Sequence, residues 1–276
     1  MQIPRHWARV KGATEDPSGK PYALSVWGWS ANSKAEAAQV AERRLAEARA
    51  RIGRGAPRHE AYFYGKTPLR EEIVRAIGGD GSAVVTRNRY GALVLNAARV
   101  PFIDVDLPES GGLGLRALFG KRPDPAAAVL DRVREACARA RGASFRIYRT
   151  AAGFRVLATD LTLDPQSARA EELLAGFGAD PFFTKLCKLQ ASFRARLTPK
   201  PWRCGCLSPS TPYPREDAGA QRKHEAWRSE YEAAIRSKAT CSLVESVGFG
   251  RTSEEARAIV DEHDRVCRVG ETLPLA

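Results

Sequence analysis

The chain has 276 residues, enough for one large or two small domains with a substantial core, and a formal net charge of +12 from 44 basic and 32 acidic residues. The apolar and charged fractions are those of a globular protein and not of a disordered chain. No apolar run approaches the ~18 residues of a membrane span, and the first residues lack the apolar stretch of a secretory signal, so the expected setting is cytoplasmic with no membrane partner.

In chain order, residues 1–20 read as a polar lead-in punctuated by Pro and Gly. "YALSVWGWS" (22–30) alternates as a strand, and Ser33 with Glu36 forms a capping-box pattern ahead of a helix that Gly53 and Gly55 end. "PLREEIVRAIG" (68–78) has the composition of a short helix. "SAVVTRNRYGALVLN" (82–96) reads as a hairpin with Asn88 in its turn, and "VPFIDVDL" as the next strand. A Gly-rich loop with Lys121 and Arg122 at its tip precedes the helix 126–142. "SFRIYRT" and "GFRVLATD" form a second hairpin around Ala151, Ala152 and Gly153. One or two helices lead to the basic segment "FRARLTPKPWR" (193–203), followed by a charged helix (221–239) with Trp227, Tyr231 and Ile235 on one face. "ATCSLVESVG" reads as a strand, and Thr252 with Glu255 repeats the capping box before a last helix. The division this implies is a strand–helix unit over 1–60, a core over 61–205 and a C-terminal helix–strand–helix unit over 206–276. The two end units would form an accessory layer.

Asp104 and Asp106 are the residues with the strongest chemical implication. Positions i and i+2 of a strand share a face, so the two carboxylates project together while Ile103 and Val105 face the other way. Two anions that close repel, and a hard divalent cation such as Mg²⁺ is their usual partner. In "YRTAAGFRV" (148–156), Thr150 offers a hydroxyl, Gly153 admits close backbone approach, and Arg149 and Arg155 offer planar forks to phosphate oxygens. In 193–203, Arg194, Arg196, Lys200 and Arg203 have no acidic residue among them; Phe193 and Trp202 suit base stacking. "TRNRYG" (86–91) is a less specific basic and aromatic stretch. The six cysteines read as reduced thiols; Cys204 and Cys206 are the only close pair, and no second close Cys or Cys/His pair completes a zinc pattern.

The order strand with Asp-x-Asp, helix, then hairpin with Thr-x-x-Gly-x-(basic) resembles the archaeo-eukaryotic primase superfamily, the primase-polymerases, over roughly residues 80–200. The resemblance implies an α/β (α+β) fold with a mixed sheet core flanked by helices. It implies metal-dependent nucleotidyl transfer, with Mg²⁺ or Mn²⁺ held by Asp104 and Asp106 as catalytic and metal-binding residues. Arg149, Thr150, Gly153 and Arg155 would bind a nucleoside triphosphate, and Arg194, Arg196, Lys200, Trp202 and Arg203 a DNA or RNA strand. Two departures stand out: Arg155 occupies the place of the family's His, and the third acidic motif has no counterpart, Asp160 being the nearest carboxylate. The alternative is a non-catalytic nucleic-acid-binding protein that keeps the fold without polymerisation. A sugar-nucleotide transferase is a third, weaker reading of Asp-x-Asp.

Overall fold

The computed structural model describes residues 1, 3–55, 67–78, 81–108 and 124–276, which fall into two compact units, Gln2–Glu72 and Ile73–Ala276 with Met1. The Gly-rich loop with Lys121 and Arg122 lies outside the described residues.

The N-terminal unit is a two-stranded antiparallel ribbon, β1 (His6–Glu15) and β2 (Pro21–Ser30), covered by helix α1 (Lys34–Gly53). Residues 1–20 are therefore not a loose lead-in. Ala8, Val10 and Gly12 alternate with Arg9, Lys11 and Ala13, and that period of two supplies an apolar face in a segment that is polar on average. Gly28 lets the helix lie directly on β2, since a Cβ there would stand 2.1 Å from the Ala37 carbonyl oxygen. Ser33 caps α1 by accepting from the Glu36 amide; the Glu36 carboxylate instead takes Ser30 and Asn32, so only half of the capping box forms. On the other face of the ribbon, the Trp27 ring lies beneath the guanidinium groups of Arg9 and Arg70.

The larger unit holds two four-stranded sheets. One runs β3 (Glu72–Ile77), β4 (Ala83–Arg87), β5 (Leu93–Ala97), β9 (Phe193–Arg196); the other runs β10 (Cys241–Val247), β7 (Phe145–Thr150), β8 (Gly153–Ala158), β6 (Phe102–Asp106). The fold is α+β, as expected, and every described register in these sheets is antiparallel. The mixed pairing that the resemblance implies is not present among the described ladders. The sequence reads 68–78 as helix, but residues 72–77 form β3: Ile73 and Ile77 fit a helical stripe, yet the burial alternates as an edge strand does beside β4. Both predicted hairpins form. Asn88 Oδ1 accepts from the Tyr90 and Ala92 amides in one turn; Thr150 Oγ1 accepts from the Gly153 amide in the other.

Helices α2 (Pro125–Arg139), α3 (Ala168–Gly176), α4 (Pro181–Gln190), α5 (Ala218–Ala234) and α6 (Glu254–Cys267) complete the unit. Each begins on an Asp or Ser whose side chain accepts a backbone amide from its first turn. For α6 that residue is Ser253, one position after the Thr252 that the sequence pattern favours. Residues 206–276 do not separate as an accessory layer, because β10 hydrogen-bonds to β7 as a strand of the central sheet and α6 contributes Ile259, Val260 and Cys267 to the common core. On α5, Trp227 and Tyr231 stack, and the Tyr231 hydroxyl bonds Thr198 and the Pro199 carbonyl, which fixes the chain leaving β9.

Candidate functional site

The period of two sorts the central sheet into two chemically different faces. Ile103, Val105, Phe145, Ile147, Phe154 and Val156 are buried on one. The other carries Phe102, Asp104 and Asp106 of β6, Gly153 and Arg155 of β8, and Arg146, Tyr148 and Thr150 of β7, in register across the ladders. Asp104 stands directly opposite Arg155, and Asp106 opposite Gly153.

That register decides what Asp104 does. The Arg155 side chain is only 1% exposed; its Nε donates to Asp104 Oδ1 at 2.8 Å and its Nη2 to Oδ2 at 3.4 Å. Nη1 donates to the Arg196 carbonyl at 2.7 Å and lies 3.4 Å from His263 Nε2. Arg155 is thus a paired interior cation and not a free phosphate ligand. Arg149 is also engaged, since its Nη1 donates to the carbonyls of Thr150 and Gly153 across the hairpin turn. Gly153 has a packing reason to be glycine: a Cβ would meet the Val105 carbonyl oxygen at 2.1 Å.

Asp104, Asp106, Thr150, Arg155, Arg196 and Arg203 nonetheless line one cleft, together with Ala151, Ala152, Phe154, Thr240 and Ala276. It lies where the Asp-bearing face of the central sheet meets the end of β9. Its enclosed volume, about 30 Å³, is that of an ion or a water molecule, so a nucleotide would have to lie across its mouth. Asp106 is at the exposed end of β6; partial withdrawal from water, then the charges of Asp104 and Asp180, hold its carboxyl above the usual range. The cations of the cleft are crowded. Burial and the Arg155 and Arg203 guanidinium groups push Arg196 down, partly offset by Asp104. Lys200 is lowered by partial burial and by Arg196 and Arg203. Arg196 Nε is buried with no hydrogen-bond partner among the described residues.

The remaining predicted residues divide. Lys200 lies over the Trp202 ring at 5.4 Å, and Trp202, 51% exposed, meets Tyr90 edge-on at 5.3 Å. These three form an aromatic and cationic shelf that the Lys200 charge links to the cleft. Arg194 does not join it: it is buried and donates to Asn96 at 2.6 Å. Phe193 is fully buried in the core and cannot stack on a base. Of 86–91, Arg87 is tied to the Gly91 carbonyl, while Gly91 has a positive φ and sits against the Trp227 ring. Asp160 lies at the far end of β8, where it accepts from Ser144 and pairs with Arg251, so it is no third acid for the cleft. A larger groove, about 510 Å³ between α2 and α3, is lined by Asp160 and by no other predicted site residue.

A second cluster was not predicted. Cys241 at the start of β10 and His263 and Cys267 on α6 are buried together. A signal was present: His263 and Cys267 stand at i and i+4, which share a helix face. Their partner Cys241 becomes legible only through the fold, which ties the Thr240 amide to the Cys267 carbonyl at 3.0 Å. A hydrogen bond from Cys267, reinforced by His263, pushes the Cys241 thiol down despite burial, whereas burial pushes Cys267 up. Cys204 and Cys206 form no such group with other ligating residues among the described residues. Cys137 and Cys187 are held near 12 by burial, as inert interior thiols.

Neither the family models nor the curated proteins nor the solved structures compared with this chain give a match. None of these comparisons bears on the resemblance to primase-polymerases. Among the described residues no helix is long and apolar enough to cross a membrane.

Proposed function

We propose that this protein binds single-stranded nucleic acid, its cleft cations holding phosphates and Trp202 stacking a base, and that it does so without two-metal nucleotidyl transfer. The observation that carries the reading is the Arg155–Asp104 pair. It neutralises one of the two acids a catalytic metal would need and leaves Arg196 and Arg203 lining the cleft, with Lys200 beside them. A divalent ion at Asp104 would have to share that carboxylate with a buried guanidinium, an arrangement in which like charges compete for one anion. Crowded cations favour an anion. The exposed Trp202 beside Lys200 supplies a sequence-tolerant stacking platform. The net charge of +12 has the sign needed to draw a polyanion in.

A second reading keeps catalysis: Mg²⁺ or Mn²⁺ at Asp104 and Asp106, a nucleoside triphosphate across the cleft, and attack of a 3′-hydroxyl on the α-phosphate. It is favoured by the presence of Asp104, Asp106 and Thr150 in one cleft. Fluorescence anisotropy with a labelled oligonucleotide, run beside a primer-extension assay with Mn²⁺, separates the two. Binding that weakens in Arg203→Ala and Trp202→Ala and survives in Asp106→Asn, with no incorporation of labelled nucleotide, supports the binding protein. Metal-dependent incorporation abolished by Asp106→Asn would establish the enzyme, and no binding at all would overturn both.

A further inference from the structure

We propose that Cys241, His263 and Cys267 form a structural zinc site, separate from the carboxylate cleft. One imidazole nitrogen of His263 and the sulfurs of Cys241 and Cys267 all lie within 4.8 Å of one another, and Cys241 Sγ is 3.8 Å from His263 Nε2. Zinc–sulfur and zinc–nitrogen bonds of ordinary length at tetrahedral angles put such atoms about 3.6–3.8 Å apart, so closure needs shifts of about an ångström. The imidazole is already oriented for the task. Its Nδ1 bonds Asp264 Oδ1 at 2.8 Å, and Asp264 is held in turn by Arg146 at 2.7 Å, which leaves Nε2 facing the two sulfurs. A carboxylate on the far nitrogen is the usual support of a metal-bound histidine.

The donor set names the metal. Two sulfurs and one imidazole suit Zn²⁺, not the Mg²⁺ or Mn²⁺ that oxygen ligands select. Binding converts both thiols to thiolates and releases their protons, so the metal and its sulfurs together carry no net charge. The Arg155 guanidinium, its Nη1 3.4 Å from His263 Nε2, is balanced by Asp104, and a zinc ion with two thiolates adds no net charge beside it. Phe102 and Tyr148 flank the site with their rings 5.6 and 4.7 Å from that of His263; the three side chains would fill three tetrahedral positions and a water molecule the fourth, in a site that joins β10 to α6.

The test uses the full chain, free of any histidine tag and purified under reducing conditions. Elemental analysis should find about one zinc per chain. Replacement by Co²⁺ should give sulfur-to-cobalt charge-transfer absorption and the visible bands of a tetrahedral ion, a measurement that needs no variant. Cys267→Ser should lose the metal, the double variant Cys204→Ser/Cys206→Ser should keep it, and Asp264→Asn should weaken Zn²⁺ binding about 10–100-fold. The proposal is overturned if the chain carries no zinc and takes up Co²⁺ without thiolate bands. It is equally overturned if Cys241 and Cys267 are found as a disulfide, or if the metal follows Cys204 and Cys206.

Discussion

Asp104→Asn tests the assignment on which the functional reading depends. The substitution keeps the shape of the side chain and removes the only carboxylate bonded to Arg155 among the described residues. Arg155 is 1% exposed, and the Asp104 side chain 34%. Stranding a buried ion of this kind costs ~3–5 kcal/mol. The lower end applies, because Asp104 is partly solvated, Asn retains one acceptor, and Nη1 keeps the Arg196 carbonyl. A loss of roughly 3 kcal/mol in a unit of this size lowers the melting temperature by about 6–12 °C. Urea unfolding followed by circular dichroism measures it. In the double variant Asp104→Asn/Arg155→Met the loss should shrink, since an apolar side chain of similar length has no charge to strand. If Asp104→Asn unfolds within ~0.5 kcal/mol of the parent, or is more stable, the acid is not Arg155's counterion. Asp104 would then be free for a metal, and the enzyme reading would gain the ground that the binding reading loses.

Asp106→Asn should behave in the opposite sense. A carboxyl whose pKa is raised in the folded state contributes stability below its ordinary value and loses it as pH rises through the folded one, so the variant should match or exceed the parent near neutral pH and lack that part of the acid-range slope. Trp202→Ala should weaken oligonucleotide binding by ~1–3 kcal/mol, read by anisotropy, with little change in melting temperature because the ring is half exposed. Arg203→Ala should lower the slope of log affinity against log salt by ~0.7, the contribution of one phosphate contact on a single strand. Gly153→Ala should cost about 1–3 kcal/mol in urea unfolding, because its Cβ has the Val105 carbonyl in the way.

Much of this architecture is legible locally. The two hairpins announce themselves through Asn88 and through the Thr150 to Gly153 turn, and α2 and α5 through apolar periodicity. β3 misleads because Glu72, Arg75 and Ala76 are good helix formers, and its state is set by pairing with β4, which the periodicity of the segment itself does not register. β1 misleads for a different reason: Arg9, Lys11 and Glu15 dominate the average while the alternation beneath them carries the structure. At the cleft, the shared face of Asp104 and Asp106 follows from strand geometry alone. The partner of Asp104 does not, because it depends on the β6–β8 register across about fifty residues of chain. Arg155 looks like one basic residue among many until that register puts it opposite a carboxylate. Arg194 and Arg196 likewise share a face of β9 in the sequence, yet Asn96 takes the first and the cleft receives the second.

One face of the central sheet explains why the cleft and the thiol cluster sit side by side. Polar groups occur along that face from Cys241 through Tyr148 and Arg155 to Asp104 and Asp106. α6 brings His263 against the Cys241 and Tyr148 portion, and the strand end bearing Asp106 remains exposed. Where water is excluded, polar groups mostly find partners, and Arg155, His263 and the two thiols all have one, with the Tyr148 hydroxyl and Arg196 Nε as buried exceptions among the described residues. Where water is present, a group can stay unpaired until a ligand arrives, and Asp106, Lys200 and Arg203 stand there. The same strand spacing thus yields interior pairing at Asp104 and an available charge at Asp106, two residues on, because burial falls off between them. Twin carboxylates in sequence are for that reason not equivalent in function: Asp104 holds an interior cation, and Asp106 faces whatever enters the cleft.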